Sequence, residues 1–127
     1  MLHEELTHKI IGCAMAVHSS LGNGFQELIY QRALGVEMRH DNLSFEREKE
    51  MSIFYRGEVV GNRRVDFFVE NTIMVELKAV SEMTDAHKAQ AINYLEAYNM
   101  KIGLLINFGK TSLEFQRVYN KKFKDEI

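Results

Sequence analysis

Seven residues near the C-terminal end constrain the fold more than any other segment. Ile102-Gly103-Leu104-Leu105-Ile106-Asn107-Phe108 is short and almost wholly apolar. Successive strand residues point to opposite faces, so a run apolar at odd and even positions is a central strand buried on both faces. Such a strand needs cover above and below, which helices supply. The rest of the chain provides them. Leu6, Ile10, Cys13, Val17 and Leu21 recur at three- and four-residue spacing and predict an amphipathic helix over 3–21. Leu21-Gly22-Asn23-Gly24 is a stop and a turn. A second helix is predicted from about Phe25 to His40, with Leu28, Leu34 and Met38 among its apolar positions, and Asp41-Asn42 ends it. Three strands follow: Phe45 to Tyr55, Val59 to Val69 with a bulge at Gly61, and Ile73 to Val80. Thr84 is the expected N-cap of a third helix running from about Asp85 to Tyr98. A weaker strand, Leu113 to Tyr119, closes the order αα-βββ-α-ββ. That order predicts an α/β fold with a mixed central sheet flanked by helices.

Two of the strands carry charge where a core strand should not. Val65-Asp66-Phe67-Phe68-Val69 and Ile73-Met74-Val75-Glu76-Leu77-Lys78-Ala79-Val80 place two carboxylates and a lysine in apolar surroundings. Isolated carboxylates there are costly unless paired or bound to a metal. A three-residue turn, Glu70-Asn71-Thr72, would pair Val69 with Ile73. Counting back sets Asp66 opposite Glu76 and Arg64 opposite Lys78. Period-two alternation would put Val65, Phe67 and Val69 on one face, and Arg64, Asp66 and Phe68 on the other. Opposed like charges destabilise a sheet. A divalent cation between them reverses that penalty, and hard oxygen ligands suit Mg²⁺ or Mn²⁺ rather than zinc. Lys78 would point into the same site, where it can position an attacking water and offset phosphate charge. The plainer alternative is a cross-strand salt bridge of Lys78 with Asp66 or Glu76 on a solvated face.

Composition narrows the class. With 46% hydrophobic and 27% charged residues the 127-residue chain should be globular, not disordered. No proline, low-complexity tract or repeat marks a linker, so one domain over 1–127 is expected. Its apolar runs fall short of the roughly 18–20 residues that cross a bilayer. The single cysteine, Cys13, excludes an internal disulfide and suits a reducing compartment, and a cytoplasmic location is expected. A net charge of −2 argues against a broadly basic nucleic-acid coat. It leaves room for a nuclease, whose acidic metal site offsets any basic groove. Arg63-Arg64 and Lys121-Lys122 with Lys124 read as solvated surface. Cys13 lies on an apolar helix face and reads as a buried thiol.

Two further motifs sit on helices. Gly24 to Tyr30 spells G-x-x-E-x-x-Y at the start of helix two, and His87, Gln90 and Tyr94 fall within one narrow arc of helix three. Together with the V-E-L-K-A segment and the G-L-L-I-N-F strand, these features resemble the GxxExxY proteins, a small family within the PD-(D/E)XK nuclease superfamily. The resemblance runs from helix one through the final strand. It implies a restriction-endonuclease-like αβββαβ core, with helix one an addition. It implies metal-binding carboxylates at Asp66 and Glu76, a metal-shell carbonyl at Leu77, and a catalytic lysine at Lys78. Glu27 matches an extra acidic position, and Gln90 and Tyr94 match a Q-x-x-x-Y motif that orients substrate or the active site. His87 and Arg64 join Gln90 and Tyr94 as substrate-binding candidates. Val65 stands where the superfamily motif often has proline. The implied activity is Mg²⁺- or Mn²⁺-dependent hydrolysis of nucleic-acid phosphodiester bonds, with DNA favoured over RNA. The competing reading is a non-catalytic nuclease-fold module that binds nucleic acid or a protein partner; a homodimer or scaffold built through helix one is a third.

Several of these residues have a simpler reading. Glu27 suits a helix N-terminus electrostatically. Tyr30 reads as core, His87 as a satisfied histidine, and Gln90 as a cap on a neighbouring backbone group.

Overall fold

The computed structural model describes residues 3–125. The described residues form α1 (His3–Leu21), α2 (Glu27–His40), β1 (Phe45–Tyr55), β2 (Glu58–Val69), β3 (Ile73–Lys78), α3 (Asp85–Ala97), β4 (Ile102–Asn107) and β5 (Glu114–Tyr119). The strands make one mixed sheet in the order β1-β2-β3-β4-β5. Only β3 and β4 are parallel, joined by the α3 crossover; the other neighbours are antiparallel.

Helices cover both faces, as the apolar run demanded. On one face α1 and α2 bury Leu6, Ile10, Val17, Leu34 and Met38 against Phe67, Val75, Leu77, Leu104 and Ile106. The apolar face of α1 is thus spent within the chain. On the other face Ala91 and Leu95 of α3 pack on Val65, Met74, Met100 and Val118. Gly103 permits that approach: a Cβ there would meet the Met74 carbonyl at 3.1 Å and Leu95 Cδ2 at 3.3 Å. Every residue of β4 is buried.

The boundaries shift where side chains capture the backbone. Helix α2 starts at Glu27, not Phe25, because Gln26 is extended as N-cap; the Phe25 N–H before it donates to the Tyr30 hydroxyl at 3.1 Å. Strand β3 stops at Lys78, not Val80, because Val80 is held on both sides by the Asn107 amide. The hairpin bulge falls at Val60, between the pairs Ile53–Gly61 and Phe54–Val59, one residue from the expected glycine.

One correction bears on the site. Val65 packs on the α3 side, whereas Phe67 and Val69 pack under α1 and α2. The simple alternation put all three on one face. The ladder between β1 and β2 keeps step across this point but lacks the Glu48–Asp66 pair, and Glu48 has φ of 54°. The strand turns over there, so Arg63 accompanies Val65 to the α3 face. The β1–β2 hairpin also outruns β3, which pairs only with Phe67, Phe68 and Val69. Its tip exposes Phe54, Tyr55, Val59 and Val60.

Candidate active site at the splayed hairpin

The turn has the length the sequence suggested. Val69 pairs with Ile73, and the Thr72 N–H donates to the Val69 carbonyl at 3.0 Å. The same register extends towards Asp66 and Glu76, but the backbone ladder ends at Phe67–Val75. Beyond it the strands splay, and carboxylates take the hydrogen bonds the ladder would have made. The Leu77 N–H donates to Asp66 Oδ2 at 2.8 Å, and the Asp66 N–H donates to Glu76 Oε1 at 3.2 Å. These bonds explain how two charged side chains survive in apolar strands: each replaces a backbone partner. The expected opposition of Arg64 and Lys78 is not formed, because the ladder has ended by then.

Glu76 is 2% exposed. Burial first, and the neighbouring Asp66 second, push its carboxyl up to about 7, against the pull of Arg63 and Lys78. Arg63 Nη2 donates to Glu76 Oε2 at 2.9 Å, and its guanidinium lies 4.9 Å from the Tyr94 ring centroid. The sequence reading chose Arg64 for this neighbourhood. Arg64 instead reaches outward, 4.0 Å from Glu48, with a side chain 67% exposed. The turnover at Asp66 exchanges the two arginines.

Helix α2 supplies the second wall. Gln31, buried and unnoticed in the sequence reading, donates from Nε2 to Asp66 Oδ1 at 2.8 Å. It accepts in turn from Arg47 Nη1 at 3.5 Å. Glu27 occupies the first turn one helical turn earlier. Partial burial and then Asp66 raise its carboxyl, while Lys78 and Arg63 lower it, so it shares the field of the hairpin charges although it faces solvent. Tyr30 fixes this helix start. Its hydroxyl donates to the Gly22 carbonyl at 2.6 Å and accepts from Phe25, and its ring stacks on Phe108 at 4.7 Å. The tyrosine of G-x-x-E-x-x-Y is thus a core latch, and the motif's glutamate is the residue it holds in place.

Lys78 ends β3. It is half-buried and lies beyond ion-pair distance of any carboxylate among the described residues. Its backbone carbonyl accepts from the Phe108 N–H at 2.8 Å. The chain beyond it is gripped by Asn107, which exchanges two 3.0 Å bonds with Val80 and accepts from the Gly109 N–H at 3.0 Å. A Cβ on Gly109 would collide with the Val80 carbonyl oxygen, so only glycine fits. Asn107 and Gly109 were also missed; a lone polar residue in the apolar β4 run was the available signal.

Helix α3 divides the remaining candidates. Tyr94 reaches the cluster through Arg63. His87 closes a capping box: the Thr84 N–H donates to His87 Nδ1 at 3.1 Å and the His87 N–H to Thr84 Oγ1 at 3.4 Å. Gln90 is exposed to solvent. The site therefore gathers Asp66, Glu76, Arg63, Gln31 and Tyr94 by direct contact, with Glu27 and Lys78 joined to it electrostatically.

Comparisons with known proteins give the class. A family model for the PD-(D/E)XK nuclease superfamily matches residues 4–118. The chain belongs to that superfamily. Among solved structures, the crystal structure of SSO0001 matches with a TM-score of 0.58 at 21% identity. The match covers 74% of this chain and 50% of that one, so the chain spans about half the length of the structure it resembles, and the likeness is one of fold. No curated protein matches the chain.

Proposed function

We propose that the chain is a divalent-metal-dependent nuclease of the GxxExxY type that hydrolyses phosphodiester bonds in DNA. The observation that supports this most is the convergence of Asp66 and Glu76 at the splayed end of β2 and β3, with Lys78 two residues further on. The donor set suits a hard ion. Each oxygen of the two carboxylates accepts one hydrogen bond, which leaves a lone pair on each for a cation. Among the described residues no three His, Cys, Asp or Glu side chains form a closed cage. The pair Asp66 and Glu76 suits Mg²⁺ or Mn²⁺, which are held by one or two carboxylates and keep positions for water and phosphate.

Asp66 and Glu76 would hold the ion, with the Leu77 carbonyl as a third donor. When bound, the ion supplies Lewis acidity toward a phosphate oxygen and makes water easier to deprotonate. The chain's own groups do the rest. Gln31 and the Leu77 N–H orient Asp66; the Asp66 N–H and Arg63 orient Glu76. Lys78 has no competing ion pair among the described residues and is assigned to the attacking water and the phosphate charge. Glu27, at the mouth of the site, is assigned to a second ion or its waters. Gln90, on the exposed arc of α3, is assigned to substrate.

The test is Mn²⁺-dependent cleavage of plasmid and linear DNA by wild type, Glu76→Ala and Lys78→Ala, beside calorimetry with Mn²⁺. Metal uptake and cleavage by wild type alone would uphold the reading. Equal cleavage by all three would end it. Nucleic-acid binding without ion uptake or cleavage would favour a non-catalytic module.

A further inference from the structure

Arg63 is tied to the site in a manner that its position in the sequence does not explain. It offers five N–H donors. One is used, by Glu76. Its Nε is buried and has no hydrogen-bond partner among the described residues. The guanidinium rests on Tyr94, and the side chain is about one-third exposed. Buried donors are rarely left unpaired, and this one, beside a candidate active site, has no acceptor among the described residues.

Glu76 imposes a second condition. Its Oε2 already faces the guanidinium. A divalent ion drawn to the same carboxylate would stand close to a like charge, and the attraction of Arg63 for Glu76 would weaken as the ion neutralises it. The flat face against Tyr94 does not depend on Glu76, so the arginine keeps a support while its donors become available. The acceptor best matched to a freed guanidinium at this place is a phosphate, whose paired oxygens suit its fork of donors.

From these contacts the geometry points to Arg63 as an exchangeable counter-ion: it neutralises Glu76 in the metal-free protein and transfers to a substrate phosphate when a divalent ion takes that carboxylate, with Tyr94 as its pivot. This rests on the nuclease reading of the same site and adds a substrate-contacting residue to it. It also gives Tyr94 a physical role, as a platform for the arginine.

The exchange has a signature that simple positive charge would not give. Binding of a short fluorescent DNA duplex is measured by anisotropy in EDTA and in Ca²⁺, for wild type and Arg63→Met. In EDTA the substitution should change affinity little, because Glu76 occupies the arginine. In Ca²⁺ it should weaken binding about tenfold, the value of one good charge-assisted contact. Calorimetry with Mn²⁺ alone should show tighter ion binding by Arg63→Met, which lacks the competing cation. Equal losses in EDTA and Ca²⁺, no loss in either, or unchanged Mn²⁺ affinity would overturn the exchange. Should Arg63→Met fail to fold, Arg63→Lys decides: it keeps a charge for Glu76 but lacks the planar fork, and should show the same ion-dependent loss. If wild-type protein takes up no divalent ion, the nuclease reading falls and the exchange with it. If wild type binds ion and DNA while the variants behave identically to it, the exchange alone falls.

Discussion

The buried carboxylate of Glu76 should make the metal-free protein less stable as pH rises. Its pKa is 4.5 in an ordinary setting and about 7 in the fold, through burial first and Asp66 second. At about 1.36 kcal/mol per pH unit, that difference amounts to a cost on the order of 3 kcal/mol for holding the charged form in place. The sign follows from proton counts. Below pH 4.5 both folded and unfolded chains keep the proton and no cost appears. Between 4.5 and about 7 the unfolded chain has released a proton the folded chain retains, so stability falls as pH rises. Above 7 the full cost is present. Glu76→Gln removes the titration and keeps one acceptor oxygen, for either Arg63 or the Asp66 N–H; the loss of the other acceptor is the same at every pH. Urea denaturation in EDTA at pH 5, 6, 7 and 8 should therefore show wild type losing on the order of 3 kcal/mol more than the variant. A difference of that size corresponds to a thermal shift on the order of 10 °C for a chain of this length. Parallel pH profiles for the two proteins would refute the argument, since every other titrating group is common to both.

Three other substitutions or treatments follow from the contacts. Gly109→Ala places a Cβ against the backbone of Ala79 and Val80 and should cost about 1–3 kcal/mol or more by denaturant titration, with loss of any lysine-dependent activity. Tyr30→Phe keeps the stack on Phe108 but leaves the exposed Gly22 carbonyl and Phe25 N–H to water; about 0.5–1.5 kcal/mol should be lost, and hydrogen exchange at the start of α2 should quicken. Cys13, buried and with a thiol pushed up to about 11 by burial and then Asp41, should resist alkylation by iodoacetamide at pH 8 in the native protein and react readily in urea.

Most of the architecture was written in periodicity. The unbroken apolarity of Ile102–Phe108 demanded cover on two faces, and α1, α2 and α3 provide it. Thr84 announced α3, and its capping box is formed. The α2 start and the β3 end, each two residues from expectation, both lie where a side chain holds the backbone. At Phe25 a tyrosine hydroxyl binds the N–H of the turn that leads into the helix, and at Val80 an asparagine amide takes the backbone groups that would have continued the strand. Those partners lie 5 and 27 residues away. A window on sequence spacing does not see the second of them at all.

The site was legible to the extent that strand register is legible. Turn length set Val69 against Ile73, and from there Asp66 and Glu76 had to meet. What register arithmetic assumed was that alternation continues undisturbed, and the choice between Arg63 and Arg64 hung on that assumption. The paired strands keep their count through Asp66, yet the backbone turns over where Glu48 adopts a φ of 54°. A count conserved while a face is exchanged leaves no mark in hydrophobic pattern, because Val65 and Phe67 are buried on either side of the sheet. The two carboxylates are themselves part of the reason the turnover is tolerated. By accepting the Leu77 and Asp66 N–H groups, Asp66 and Glu76 replace the ladder bonds that the splayed strands give up. The residues that make the chain a candidate enzyme therefore also satisfy the backbone where its sheet opens.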